Sequence, residues 1–159
     1  SRGLGDVYKR QNMTREQFAV ALWRMNGSPE VPYYTQFKDV LENQWYTDAV
    51  LWANTEKVIT GYAGQELFGI ADHITREQMA VMLYRYAKSK GFSTVVSADI
   101  SKYADAADVS EFAVKAMNWA VGTGIIQGKD NGTVLDPQGN AVRAESAVVL
   151  TRFMQYYEM

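Results

Sequence analysis

The sequence predicts an all-α fold, an array of helix-loop-helix repeats, on three observations. One stretch occurs in three versions: Met13-Thr14-Arg15-Glu16-Gln17-Phe18-Ala19-Val20, Ile74-Thr75-Arg76-Glu77-Gln78-Met79-Ala80-Val81 and Ala141-Val142-Arg143-Ala144-Glu145-Ser146-Ala147-Val148, with the arginines 61 and 67 positions apart. The second interval also carries Trp52-Ala53 onto Trp119-Ala120 and Val58-Ile59-Thr60-Gly61 onto Ile125-Ile126-Gln127-Gly128, while Phe37-Lys38-Asp39 returns as Tyr103-Ala104-Asp105. Around these landmarks the apolar residues keep a helical period. A module that repeats its helix starts, its tryptophan and its glycine is an array, and arrays usually bind rather than catalyse.

Residues 1–11 show neither apolar periodicity nor a counterpart in the other copies, and are read as a non-native or unstructured leader. The helix from Thr14 to about Asn26 is then all that remains of a first repeat, 12–28. A polar connector with two prolines follows, Asn26 to Thr35. In the second repeat, 33–92, Trp45, Ala49, Trp52 and Ala53 fall at i, i+4, i+7 and i+8, one face of an amphipathic helix running to about Lys57. Phe112, Ala116, Trp119 and Ala120 repeat that spacing in the third repeat, 99–159, beyond a second connector, Gly91 to Ser101. A glycine-rich link comes next, 61–69 in one copy and 128–137 in the other, and Gly61 and Gly128 suit the left-handed position that ends a helix. The arginine motif opens the next helix. Thr75 is a good N-cap and Gln78 can reach back to the cap's amide, as Thr14 and Gln17 do in the first copy. In the third copy Val142 replaces the threonine and only Glu145 remains at N3, so that helix loses a side-chain cap worth ~1 kcal/mol. Downstream stripes are Met79, Leu83 and Tyr86, and Val149, Phe153 and Tyr156.

Composition narrows the function. The chain has 159 residues, 47% hydrophobic and 21% charged, with a net charge of −2. It carries enough apolar mass for one or two small cores and no basic footprint for nucleic acid. There is no cysteine and one histidine, His73. Disulfides and thiol chemistry are thereby excluded, and a histidine-based metal site is not expected. No apolar run reaches the ~18 residues of a membrane span. No nucleophile is paired with a base in a recognisable motif, so no active site and no cofactor are expected.

Several linked motifs in order give the chain a family resemblance. Phe37-Lys38-Asp39-Val40, Trp45 with Ala49-Val50, Ile59 to Tyr62, Phe68 and the Thr-Arg-Glu-Gln helix start resemble tandem S-layer homology domains. The third repeat matches at Tyr103, Asp105, Gly128, Leu135-Asp136-Pro137 and Arg143-Ala144-Glu145, with Phe112 in place of the tryptophan. The resemblance implies a pseudo-threefold helical bundle with a truncated first repeat. It implies a non-catalytic anchor at the bacterial cell surface, binding secondary cell-wall polysaccharide associated with peptidoglycan in grooves between repeats, often through pyruvate ketals. The helix-start arginines Arg15, Arg76 and Arg143 become ligand candidates by that resemblance. An incomplete first repeat is expected to leave one groove open and to favour self-association. The alternative is a helical module that docks another surface protein.

The arginine can also be read from physics. At the first position of a helix a cation sits against the positive end of the dipole, at a cost of ~0.3–1 kcal/mol. Free amides, the dipole and a planar guanidinium together suit a carboxylate, which a pyruvate ketal supplies. The competing reading is architectural, each arginine pairing with an internal acid such as Asp39 or Asp105. Those two aspartates are themselves candidates for sugar hydroxyls, with helix capping as the simpler explanation. Trp45 is a ligand candidate because it begins its helix near the groove, whereas Trp52 and Trp119 are assigned to packing. Gly61 and Gly128 are helix terminators first and places for close sugar approach second; Tyr62 and Lys129, which follow them, are read as groove edges.

Overall fold

The computed structural model describes residues 7–34 and 36–159. Residues 1–6 of the expected leader, and Thr35 in the first connector, lie outside the described part. Among the described residues the regular structure is helical, and extended pairing is limited to isolated bridges. The helices are α1 (Arg15–Met25), α2 (Thr47–Thr55), α3 (Arg76–Ser89), α4 (Val114–Gly122) and α5 (Arg143–Tyr156), with 3-10 turns at Ala106–Asp108 and Glu111–Ala113. The chain forms two compact units, Met13–His73 and Ile74–Met159, the latter joined by residues 7–12. The unit Met13–His73 therefore takes the arginine helix of the first repeat and the first half of the second, and the unit Ile74–Met159 takes the arginine helix of the second repeat and the whole of the third, out of step with the sequence repeat.

In the unit Met13–His73, α1 packs on α2. Phe18, Ala19 and Leu22 are fully buried on one face of α1, while Ala49, Val50, Leu51 and Ala53 bury α2 almost all round. The α1 start is the capping box expected from Thr14 and Gln17. The α2 start is not the expected one. Trp45 precedes the helix, because the Thr47 hydroxyl closes the loop in front of it, accepting the Gln44 N–H at 2.9 Å and donating to the Leu41 carbonyl at 2.7 Å. The indole is 61% exposed. Phe112 stands at the matching place before α4 and is 65% exposed, so the first member of both expected stripes lies off the helix.

The left-handed residue that ends α2 is Lys57, at φ 60°, with the Val58 N–H reaching back to the Ala53 carbonyl at 2.9 Å. Gly124, at φ 78°, holds the corresponding place after α4. Gly61 and Gly128, expected there, are absent from the left-handed positions. A lysine in that region carries a Cβ–carbonyl clash that glycine lacks. Lys57→Gly is therefore expected to raise stability by ~0.5–1 kcal/mol, read as a higher midpoint in urea.

In the unit Ile74–Met159, α3 packs on α4. Its core joins Met79, Leu83 and Tyr86 of α3, Met117 and Trp119 of α4, and Val149 and Phe153 of α5. The Thr75–Gln78 capping box is present, and α5 has no side-chain cap at Val142. The α5 stripe ends at Phe153: Tyr156 is 41% exposed, and Tyr157, turning off the end of the helix, stacks on Phe92 at 4.6 Å instead. Trp119, assigned to packing, is buried and donates its indole N–H to the Tyr157 hydroxyl at 3.1 Å.

Three bridges link the repeats in a cyclic order. Thr14 pairs with His73, Thr75 with Asn140 and Val142 with Asn12. The amides of the three arginines follow the same rule, Arg15 donating to the Asp72 carbonyl, Arg76 to Gly139 and Arg143 to Gln11, each at 2.9 Å. Residues 7–10 are helical, and Gln11 and Asn12 are the first-repeat equivalents of Asp72 and His73. A single carbonyl that closes a bridge leaves no trace in apolar periodicity.

Candidate functional site

The aromatic-x-Asp pair, the glycine and the arginine of the unit Met13–His73 all hold one loop, residues 60–72. A Cβ on Gly61 would lie 2.3 Å from a Phe37 ring carbon and 2.8 Å from the Leu67 carbonyl, so the residue is glycine because the ring and backbone press on it. The Asp39 carboxylate accepts three successive loop amides, from Phe68 at 2.9 Å, Gly69 at 2.8 Å and Ile70 at 2.9 Å. Burial pushes that carboxyl upward, but the amides of Ile70, Phe68 and Gly69 outweigh it and hold Asp39 below its ordinary value. From the other side Arg15 donates Nε–H to the Phe68 carbonyl at 2.8 Å and Nη2–H to the Thr60 carbonyl at 2.7 Å. Its guanidinium carbon lies 4.6 Å from the centre of the Tyr62 ring, a cation–π contact. The Tyr62 hydroxyl donates to Asp72 at 2.6 Å, and burial together with that bond pushes it up to about 12. Glu16 accepts the Ala71 amide with both oxygens. Arg15 is 7% exposed; burial lowers it from its ordinary value, opposed by Tyr62, Asp72, Asp39 and Glu16, and it keeps its charge at neutral pH.

The other unit repeats the frame with different charges. Tyr103 presses on Gly128, and Asp105 accepts the amides of Leu135 and Asp136, each at 2.8 Å. Burial raises Asp105, and those two amides with the Arg76 charge bring it below its ordinary value. Arg76, 2% exposed, donates to the Leu135 carbonyl at 2.8 Å and the Gln127 carbonyl at 3.0 Å, and its Nη1 is ion-paired with Glu145. Glu77 accepts the Ser110 amide at 2.9 Å and the Gln138 side-chain amide at 3.1 Å. At the rim Lys129 is paired with Asp136 at 2.8 Å. Arg143, half-buried, takes neither kind of partner: it lies 4.1 Å from the centre of the Tyr8 ring and bonds the Tyr8 hydroxyl.

The structure thus brings Arg15, Asp39, Gly61 and Tyr62 to one loop and Arg76, Asp105, Gly128 and Lys129 to its counterpart. Trp45 joins neither group of contacts; it lines a cleft with Trp23 and Tyr33. Asp39 and Asp105 do not cap helices; their carboxylates accept loop amides instead. Asp105 precedes a 3-10 turn without making a side-chain cap bond. Neither aspartate forms an ion pair with an arginine among the described residues. Glu16, Glu77 and Glu145 went unassigned from sequence. The recurring Arg-Glu pair was the available signal for the first two, and the loss of the capping threonine frees Glu145 for Arg76.

A profile of the S-layer homology domain matches residues 36–80 and 102–147, more than half of the chain. The chain belongs to the S-layer homology family. The surface-layer 125 kDa protein of Lysinibacillus sphaericus is 31% identical over 121 residues, which is 75% of this chain and 10% of that protein. Amylopullulanase of Thermoanaerobacterium thermosulfurigenes is 27% identical over 150 residues, 93% of this chain and 8% of the enzyme. Among solved structures, the undecaheme cytochrome from the S-layer of Carboxydothermus ferrireducens aligns with 94% of this chain and 22% of its own at a TM-score of 0.45 and 21% identity. The chain spans about a tenth of the length of the curated relatives it matches. S-layer homology domains are non-catalytic modules that anchor surface proteins and cell-surface enzymes to the wall, and their place is the cell surface. Among the described residues no helix is long and apolar enough to cross a membrane.

Proposed function

We propose that this chain is a wall anchor that binds secondary cell-wall polysaccharide non-covalently, the carboxylate of a pyruvate ketal being drawn to the helix-start arginines. The observation that carries this reading is a difference among the three copies. Among the described residues Arg76 is ion-paired with Glu145, whereas Arg15 and Arg143 have no carboxylate within salt-bridge distance. Two fixed cations beside aromatic rings, at helix starts where the dipole favours an anion, retain attraction for an acidic sugar. In this reading Tyr62, Arg143 and Lys129 face the polymer, and the buried Arg15 charge attracts it from beneath Tyr62. Arg76, Asp39, Asp105, Gly61 and Gly128 build the loops that present them.

The test is sedimentation with purified bacterial sacculi, before and after mild acid removes the pyruvylated polymer. The chain is expected to pellet with intact sacculi and to stay in solution with stripped ones. Among the described residues the Arg143 side chain contacts Tyr8 alone, so Arg143→Ala is expected to weaken retention with little change in the melting temperature. Equal retention on stripped sacculi overturns the reading. A chain that never pellets turns it towards the protein-docking alternative.

A further inference from the structure

The unit Met13–His73 holds a cleft of about 450 Å³ that none of the arginine contacts uses. Trp23 of α1 and Tyr33 of the connector form one side, and Glu42, Asn43 and Trp45 of the loop before α2, with Asp48 of its first turn, form the other. Two of the aromatic rings have their polar atoms already engaged. The Trp23 indole donates to the Pro29 carbonyl at 2.8 Å and the Tyr33 hydroxyl to the Val40 carbonyl at 3.0 Å. What they offer the cleft is ring surface, held still. Trp45 meets Tyr46 edge-on at 5.4 Å and is otherwise open to solvent, on a loop already closed by the Thr47 hydroxyl. The polar lining combines the Glu42 and Asp48 carboxylates, neither in an ion pair among the described residues, with the side-chain amides of Asn43 and Gln44, which both donate and accept. No lysine or arginine lines it.

Flat apolar faces beside hydroxyl-accepting groups are the complement of a sugar ring, which has C–H faces and an equator of O–H donors. An acidic sugar is disfavoured there by the two carboxylates. The other repeat shows that the fold does not require this lining. At the matching positions Trp45 becomes Phe112, Thr47 becomes Val114 and Asp48 becomes Lys115. The exposed ring is kept while the loop-closing hydroxyl is lost and one acceptor is replaced by a cation.

We propose that this cleft is a saccharide subsite for an uncharged sugar residue. It is separate from the arginine contacts and independent of whether those hold an acidic polymer. The whole chain, labelled with nitrogen-15, is titrated with two uncharged oligosaccharides, the tetramer of N-acetylglucosamine and maltotetraose, and with the tetramer of galacturonic acid. At least one uncharged tetramer is expected to shift the Trp23 and Trp45 indole resonances in the millimolar range, and the acidic one to leave them in place. Trp45→Ala is expected to weaken binding about tenfold, and Asp48→Asn to weaken it measurably, both with unchanged melting temperatures. Phe112→Ala, at the matching exposed position, is expected to bind as the parent does. No shift with either uncharged tetramer, equal binding of the acidic one, or parent-like binding by Trp45→Ala overturns the proposal, whatever the sacculus assay returns.

Discussion

Arg76→Ala is expected to lower the unfolding free energy by about 3–5 kcal/mol, the range for removing one partner of a buried ion pair. The side chain is almost wholly enclosed, and it is the shared donor for the Leu135 carbonyl, the Gln127 carbonyl and the Glu145 carboxylate. One Glu145 oxygen is already buried without a hydrogen-bond partner, so deletion leaves a largely enclosed carboxylate without its counter-charge. Urea unfolding followed by circular dichroism measures the loss. Arg76→Met combined with Glu145→Met removes both charges at once and is expected to recover a substantial part of it. An Arg76→Ala protein as stable as the parent would show that water replaces these bonds and that the arginine is not architectural. The same number bears on binding experiments: loss of wall retention by Arg76→Ala reports unfolding unless its melting curve is measured alongside.

Asp39→Asn is expected to cost about 2 kcal/mol, the scale of charge-assisted hydrogen bonds to backbone amides. Both carboxylate oxygens face N–H groups, and an amide must turn its NH₂ towards one of them. The pH dependence follows from the direction of the shift. Asp39 and Asp105 sit below their ordinary values in the folded chain, so their stabilisation is present above the unfolded carboxylate pKa of about 3.9. It is lost as pH falls through the lower, folded value. Thermal melting of the parent between neutral pH and pH ~3 is expected to show a steeper acid decline than that of Asp39→Asn. Identical declines would mean that other groups govern acid unfolding.

What the sequence disclosed and what it withheld divide along a physical line. Periodicity and capping are local, and they give the helices, the Thr14–Gln17 and Thr75–Gln78 boxes, the missing cap at Val142 and the buried Trp52 and Trp119. Helix starts set by a distant contact were not legible: the Thr47 hydroxyl bonded to Leu41 moves the start of α2 past Trp45. The two loop glycines were correctly singled out for the wrong reason, since an aromatic ring arriving from 24 or 25 positions upstream leaves no local mark on Gly61 or Gly128. The ligand candidates suffer most. A recurring arginine looks the same in sequence whether Glu145 neutralises it or Tyr62 covers it.

The offset between sequence repeat and compact unit has a practical meaning for splicing. A chimera joined within the connector 91–101, the natural seam by sequence, parts Arg76 from Leu135, Gln127 and Glu145 and leaves the donor graft to supply three foreign acceptors. A junction between His73 and Ile74 keeps Arg15 and Arg76 with the loops they fasten, and asks a graft after His73 to supply the partners that Tyr8, Gln11 and Asn12 find at Val142 and Arg143. Exchangeable cassettes of this chain therefore begin at the first residue of its most recognisable motif.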